Sequence, residues 1–283
     1  MVKIGILYHP KVEATLNKAK ELEEFITSKS VEVWVCSAWE HRQACDLMDD
    51  TELVLTVGGD GTILRAVQAV MPSMTPITGI NLGKLGFMTE LDDGEVLEKL
   101  PALLEGQGWI DERYMLQAEI SGNFGKTQVF HALNDVVVAR GAIARAVNIG
   151  VVVNGQQLTD YRADGVIVAT ATGSTGYAMA AGGPVIYPGS PDMLLAPVAP
   201  HLSSLSPVVL PGTAVVELSI DTYLVATLSI DGHINLPLSG SDVIKVSRSP
   251  YRARFRRLRP GESFYGSLEA KLKGRQGGSG RKS

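Results

Sequence analysis

Cysteine is nearly absent. Cys36 and Cys45 are the two among 283 residues. Neither sits in a CxxC pair or beside a Cys/His cluster, which excludes a disulfide scaffold and a cysteine zinc site and suits a reducing, cytoplasmic setting. The five histidines, His9, His41, His131, His201 and His233, are scattered without ligand spacing, so no protein-held metal site is read from them. Neither sign of charge dominates. With 20% charged residues and a formal net charge of -4, the balance shows no footprint of a nucleic-acid or anionic-membrane partner and points to a small or neutral one. Long apolar runs are also lacking: Ile4 to Tyr8 meets His9 and Pro10 before it can act as a signal core or span a bilayer. Internal repeats are not visible.

What is present suffices for a large core. Hydrophobic residues make up 45% of the chain, compatible with two domains. The first hundred residues alternate apolar runs with helix-like stretches, the pattern of stacked βα units. Val2 to Tyr8, Val31 to Cys36 and Thr51 to Val57 read as strands. From Lys11 to Lys29, Leu16, Ala19, Leu22, Phe25 and Ile26 recur at helical spacing. Beyond Trp109 the pattern turns to β-like runs: Met115 to Ile120, Val136 to Ala139, Val147 to Val153, Val166 to Ala169, Val215 to Ile220 and Leu224 to Ile230. The expected fold is therefore α/β, an N-terminal Rossmann-like domain over 1–107 plus a C-terminal, mostly β domain over 108–251. The segment 252–283 follows and is expected to pack back on the first domain. It carries ten of the 26 Lys and Arg residues, read either as a phosphate or nucleic-acid contact or as a solvated strand and loose tail, disordered from about 274.

The informative turn is Gly58-Gly59-Asp60-Gly61-Thr62, between the third strand and a helical pattern from Ile63 to Val70. Bare glycines at a strand-to-helix turn let backbone N–H groups approach an anion, with the helix dipole behind them. The turn is neither GxxxxGK[ST] nor GxGxxG. Asp60 would repel phosphate unless it binds a cation, caps the helix or handles a hydroxyl proton; capping by Asp60 or Thr62 is the plainer alternative.

GGDGT resembles the signature of NAD kinases, with variants in lipid kinases and phosphofructokinases. The segments Asn81 to Phe87 (NLGKLGF), Leu133-Asn134-Asp135, Asp164-Gly165, Thr170 to Pro184 (TATGSTGYAMAAGGP), Pro200 to Ser204 and Ser229 to Gly232 resemble NAD kinases in order. The resemblance covers about residues 2 to 270 and implies transfer of a phosphoryl group from ATP, or polyphosphate, to the 2′-hydroxyl of the adenosine ribose of NAD, with a divalent cation, Mg²⁺, carried by the nucleotide. It implies Asp60 as general base or aligner of the hydroxyl, Gly61 against the dinucleotide, Arg65 near phosphate, and Gly58, Gly59 and Thr62 in the phosphate turn. It also implies Asn134 and Asp135 at the adenosine, with Thr175, Gly176, Tyr177, Ala178, Met179 and Ala180 beside it. Arg162 and Asp164 would serve the nicotinamide half, and Arg145, Ala199 and His233 match family contacts more loosely. A homo-oligomer, dimer or tetramer, is implied too. The chain departs from the family at Asp135, usually Glu, Ala171, usually Pro, and Gly176, usually Ala. Two alternatives stay open: a lipid or sugar kinase sharing the glycine turn, and a non-catalytic NAD(P) sensor.

Overall fold

The computed structural model describes residues 2–83, 86–122, 127–141, 146–201, 206–221, 226–240, 242–261, 264–266 and 268–269. It divides the chain into two units, Met1–Glu112 with Arg254–Ser283, and Arg113–Ala253.

The first unit is α/β. Its elements are β1 (Lys3–Tyr8), α1 (Glu13–Ser28), β2 (Glu32–Ser37), α2 (His41–Asp46), β3 (Thr51–Val57), α3 (Asp60–Ala69), β4 (Ile77–Asn81), β5 (Leu91–Asp92), α4 (Val96–Leu104) and the start of β6 (Trp109–Ser121). The strands pair in parallel in the order β4, β3, β1, β2, with β5 beside β4. Such strands are covered on both faces, so they read as unbroken apolar runs: Ile4, Ile6, Leu53, Leu55, Val57 and Ile80 join Ala19, Leu22 and Ile26 of α1 in one core. Because β1 has β2 on one side and β3 on the other, the strand order reverses there. In parallel α/β sheets the carboxyl ends at such a reversal form the ligand crevice. Here those ends carry His9, after β1, and the Gly58–Thr62 turn, after β3.

The second unit is mostly β. It holds β7 (Gln128–Ala132), β8 (Asp135–Arg140), β9 (Val147–Val153), β10 (Gln156–Ala163), β11 (Gly165–Thr170), a 3₁₀ turn (Gly173–Thr175), α5 (Tyr177–Ala180), β12 (Met193–Val198), β13 (Val208–Leu210), β14 (Val216–Asp221), β15 (Ala226–Ile230), β16 (Ile234–Leu238) and most of β17 (Val243–Arg257). A six-stranded sheet runs β13, β12, β11, β8, β15, β16. Strands β10, β9, β14 and the 243–246 part of β17 pair antiparallel in a second layer.

Alternation along the strands decides what each face meets. Val136, Val138, Val166, Val168, Leu228 and Ile230 point into the core shared with Ile149, Val151, Tyr161 and Leu218 of the other layer. Their neighbours Val137, Ile167 and Ala169 point to the opposite face, where Ala178 of α5 packs on them. That outer face carries the cavity described below.

The last turn of β17 belongs to the first unit, where Phe255 pairs with Ile77 of β4. The basic run here is not simply a solvated strand, because Arg257 is buried between Glu90 and Asp111. A charge count alone cannot separate an arginine matched by buried acids from one facing water. Among the described residues no helix is long and apolar enough to cross a membrane, and Cys36 and Cys45 are free.

Candidate functional site

The glycine turn is shaped by its own crowding. Gly58 has φ +152, which side chains rarely adopt, and a Cβ there would run into the Thr62 hydroxyl. Its N–H donates to the Ile80 carbonyl at 2.9 Å, tying the turn to β4. Gly59 and Gly61 differ: both are exposed, and a Cβ on either would meet nothing within 4 Å. Packing inside the chain does not require glycine at these two positions.

Asp60 opens α3 but does not cap it; no side-chain cap is made at Gly59, the N-cap position. The carboxylate instead reaches the loop after β4, where Oδ2 accepts the Phe87 N–H and Oδ1 the Met88 N–H, each at 3.1 Å. Gly86 makes this possible, since a Cβ there would collide with the carboxylate. The loop is braced by the Gly86 N–H donating 2.8 Å to Thr89 Oγ1. Lys84 and Leu85 of the same segment lie outside the described residues. Thr62 is fully buried and its hydroxyl has no partner among the described residues. Arg65, one helical turn after Gly61, stacks on Trp39 with its guanidinium carbon 4.1 Å from the ring centroid. The edge of His9 meets the same indole, with centroids 4.5 Å apart.

The second unit holds a cavity of about 510 Å³ on the outer face of the six-stranded sheet. Its floor follows from register: Val137 faces Ser229, Ser229 faces Asn235, and Ala139 faces Thr227. Small residues at alternate positions leave depth, and hydroxyls line it. Asn134, Asp135, Asp231, Arg140 and Tyr177 stand around the rim.

Asn134 and Asp135 are held by backbone, leaving their side chains for the cavity. One carboxylate, Asp231, accepts the N–H groups of Leu133 (2.9 Å), Asn134 (2.7 Å) and Asp135 (3.1 Å). From the other side the Thr170 N–H donates to the Asn134 carbonyl at 2.8 Å, and the Thr170 hydroxyl to the Leu133 carbonyl at 2.6 Å. Gly173 is required because a Cβ would strike the Asn134 backbone. The Asn134 Oδ1 is buried and unpaired among the described residues. A buried acceptor without a donor is costly, which marks the place a ligand donor would take. Asp135 is 6% exposed; burial, and secondarily the charge of Asp231, pushes its carboxyl from 3.8 up to about 7.

The remaining expected residues divide clearly. Tyr177 is 47% exposed and lines the cavity, whereas Thr175 and Ala178 are buried, with Thr175 Oγ1 donating to the Thr172 carbonyl at 3.2 Å. Gly176 lies beside the rim: a Cβ there would sit 3.7 Å from Asn134 Nδ2 and 3.8 Å from Asp135 Oδ2. Met179 is half-buried and Ala180 exposed. Asp164 is paired with the rim residue Arg140 at 3.0 Å. Arg162 and Ala199 are exposed, Ala199 with φ +45. His233 is half-buried, its Nδ1 3.2 Å from the Asp231 carbonyl oxygen, and is not part of the cavity lining. Arg145 lies outside the described residues. Sequence reasoning passed over Arg140, Thr227 and Asn235, and named Ser229 only within a matching segment, without a role. The signal for two of them was legible in β15, where Thr227 and Ser229 alternate with the apolar Leu228 and Ile230.

Residues 11–108 match the family described as ATP-NAD kinase N-terminal domain, and residues 133–258 the ATP-NAD kinase C-terminal domain. The NAD kinase of Dehalococcoides mccartyi (strain CBDB1) is 46% identical over 273 residues, covering 96% of each chain. That of Chloroflexus aggregans is 39% identical over 271 residues, covering 96% of this chain and 98% of its own. Among solved structures, an NAD kinase from Archaeoglobus fulgidus in complex with ATP superposes with a TM-score of 0.78 at 27% identity, covering 96% of this chain and 99% of that one. Yeast NADH kinase complexed with NADH shares the fold, with a TM-score of 0.81 at 23% identity, covering 100% of this chain and 90% of that one.

The raised Asp135 carboxyl has a consequence for stability. Between the ordinary value of 3.8 and about 7 the native state holds a proton that the unfolded chain has lost. Stability therefore falls as pH rises through that window. Asp135→Asn removes this slope, so urea unfolding is expected to show the variant gaining on wild type from about pH 4 to about pH 7. A difference that stays flat with pH contradicts the assignment.

Proposed function

The chain belongs to the NAD kinase family, and we propose from that premise that its two units divide the reaction between them. The reaction is transfer of a phosphoryl group from ATP to the 2′-hydroxyl of the adenosine ribose of NAD, giving NADP. The observation that carries this reading is the state of Asp60. A carboxylate inside a turn suited to phosphate is neither a cap nor a surface charge, but is fixed through both oxygens by the Phe87 and Met88 N–H groups.

A carboxylate so held keeps its remaining lone pairs in a fixed direction. It accepts the hydrogen of the 2′-hydroxyl and aligns the oxygen with the leaving phosphoanhydride. Phosphoryl transfer passes through a loose transition state in which the nucleophile gains little charge, so alignment accounts for most of what Asp60 contributes and proton removal for less. The open space at Gly59 and Gly61 lets phosphate oxygens approach the start of α3, where the helix dipole favours them. Arg65, held flat on Trp39, adds a cation one turn along.

In the second unit, Asn134 offers an amide able to donate and accept at the adenine edge, and Asp135 an acceptor for ribose hydroxyls. Asp135 reaches one methylene less far than Glu. Gly176, lacking a methyl beside both residues, leaves room for a ribose that sits deeper. Tyr177 supplies an exposed ring at the rim, and Arg140, oriented by Asp164, a cation. Arg162, Asp164, Ala199 and His233 are assigned to the nicotinamide half and to subunit contacts of a homo-oligomer.

We assign a divalent cation to the donor's triphosphate, which would carry it into the site. Bound there, Mg²⁺ neutralises charge on the phosphates. Two free thiols and a nearly balanced overall charge suit a cytoplasmic enzyme with small-molecule substrates.

Wild-type protein given ATP, Mg²⁺ and NAD is expected to form NADP, measured with an NADP-specific dehydrogenase, and absence of NADP with ATP, other triphosphates and polyphosphate alike would sink the reading. Gly61→Ala sharpens it. Alanine in an open helical position is expected to raise stability by about 0.5–1 kcal/mol while lowering kcat/KM at least about tenfold by crowding the phosphates. A variant that is more stable and equally active shows that nothing approaches Gly61.

A further inference from the structure

The loop that holds Asp60 is itself held from the far end of the chain. Arg257, the last residue of β17, is 6% exposed, and a buried guanidinium persists only where its charge and its donors are matched. Its Nη1 donates to the Met88 carbonyl at 2.7 Å and to Glu90 Oε2 at 3.4 Å, and its Nε donates to Asp111 Oδ2 at 3.2 Å. Both acids are buried as well. Met88 is thus gripped at both polar atoms: its N–H goes to Asp60 and its carbonyl receives Arg257.

Glu90 completes the brace. Its Oε1 accepts the N–H groups of Leu258 (2.9 Å) and Arg259 (2.7 Å). Its own N–H donates to the Gly79 carbonyl of β4 at 2.8 Å. The segment from Gly86 to Glu90 is therefore pinned between β4 and the residues around Arg257, which are distant from it in sequence. An arginine needed only to fill this space would be out of place, because an apolar side chain does so without the cost of burying charge.

We propose that Arg257 is a positioning residue for the phosphoryl transfer: by taking the Met88 carbonyl and pairing with Glu90 and Asp111, it fixes the two N–H groups that aim the Asp60 carboxylate. The inference rests on the role given to Asp60. It does not require Arg257 to touch either substrate, and it explains why a fork is used here. A lysine carries its donors on one nitrogen and does not reproduce donation from both the Nη1 and the Nε positions.

The test uses full-length Arg257→Lys and, should that variant fold poorly, Glu90→Gln, which keeps an acceptor for Leu258 and Arg259 but loses the charge facing Arg257. At saturating ATP and Mg²⁺, kcat per folded molecule is expected to fall at least about tenfold with the KM for NAD within about threefold, the split expected when alignment rather than binding is lost. Amide hydrogen exchange at Phe87 and Met88 is expected to quicken at least about tenfold, more than at amides of the α1 core. A lower melting temperature with kcat per folded molecule and exchange at these two amides unchanged overturns the proposal and leaves Arg257 as a fold residue. Wild-type protein that makes no NADP sinks the functional reading first; active wild type with an unaffected Arg257→Lys removes only this inference.

Discussion

The glycine turn of the first unit depends on one contact, the Asp60 carboxylate seated on the N–H groups of Phe87 and Met88. A carboxylate at the start of a helix beside a phosphate turn would ordinarily turn back to cap its own helix or extend into water. Here two backbone donors from the next βα connection hold it away from both. That arrangement demands the bare backbone of Gly86 and the turn conformation of Gly58. It also depends on the strand order, because the carboxyl ends of β3 and β4 are neighbours.

The second unit solves a different problem, presenting polar groups that the chain itself leaves unmatched. Asp231 and Thr170 satisfy the backbone around Asn134, so its amide and the Asp135 carboxyl remain for a ligand. Two carboxylates brought this close in a buried place cannot both ionise freely. Asp231 accepts three N–H groups. Asp135, with no donor among the described residues, carries the strain as a raised pKa. A hydroxyl donated to Asp135, as proposed for the ribose, would relieve it.

The two-unit plan, the core helix α1 and the turn after β3 were legible in the sequence because each follows from periodicity or glycine placement. Strand β3 begins and ends at the residues that the apolar run marks, Thr51 and Val57. Other elements escaped: β4 and β12 carry Gly79 and Pro197 inside short runs, β17 is interrupted by Pro250 and dense in arginine, and β10 (QQLTDYRA) is exposed along most of its length. In the site, the resemblance named the residues Asp60, Asn134, Asp135 and Tyr177, but no spacing could show what holds them. Phe87, Met88 and Glu90 act through backbone atoms or through contacts distant in sequence, and Arg257 looks like any other member of a basic run. Partnerships of that kind carry no local signal; only the fold reveals them.

Asp60 is assigned the transfer step and the second unit the recognition of the dinucleotide. Asp60→Asn keeps the shape of the side chain and removes its charge. With NAD affinity measured by calorimetry beside the rate of NADP formation at saturating substrates, the rate is expected to be at least about a hundredfold lower with NAD affinity within about threefold of wild type. NADP formed at the wild-type rate would contradict it.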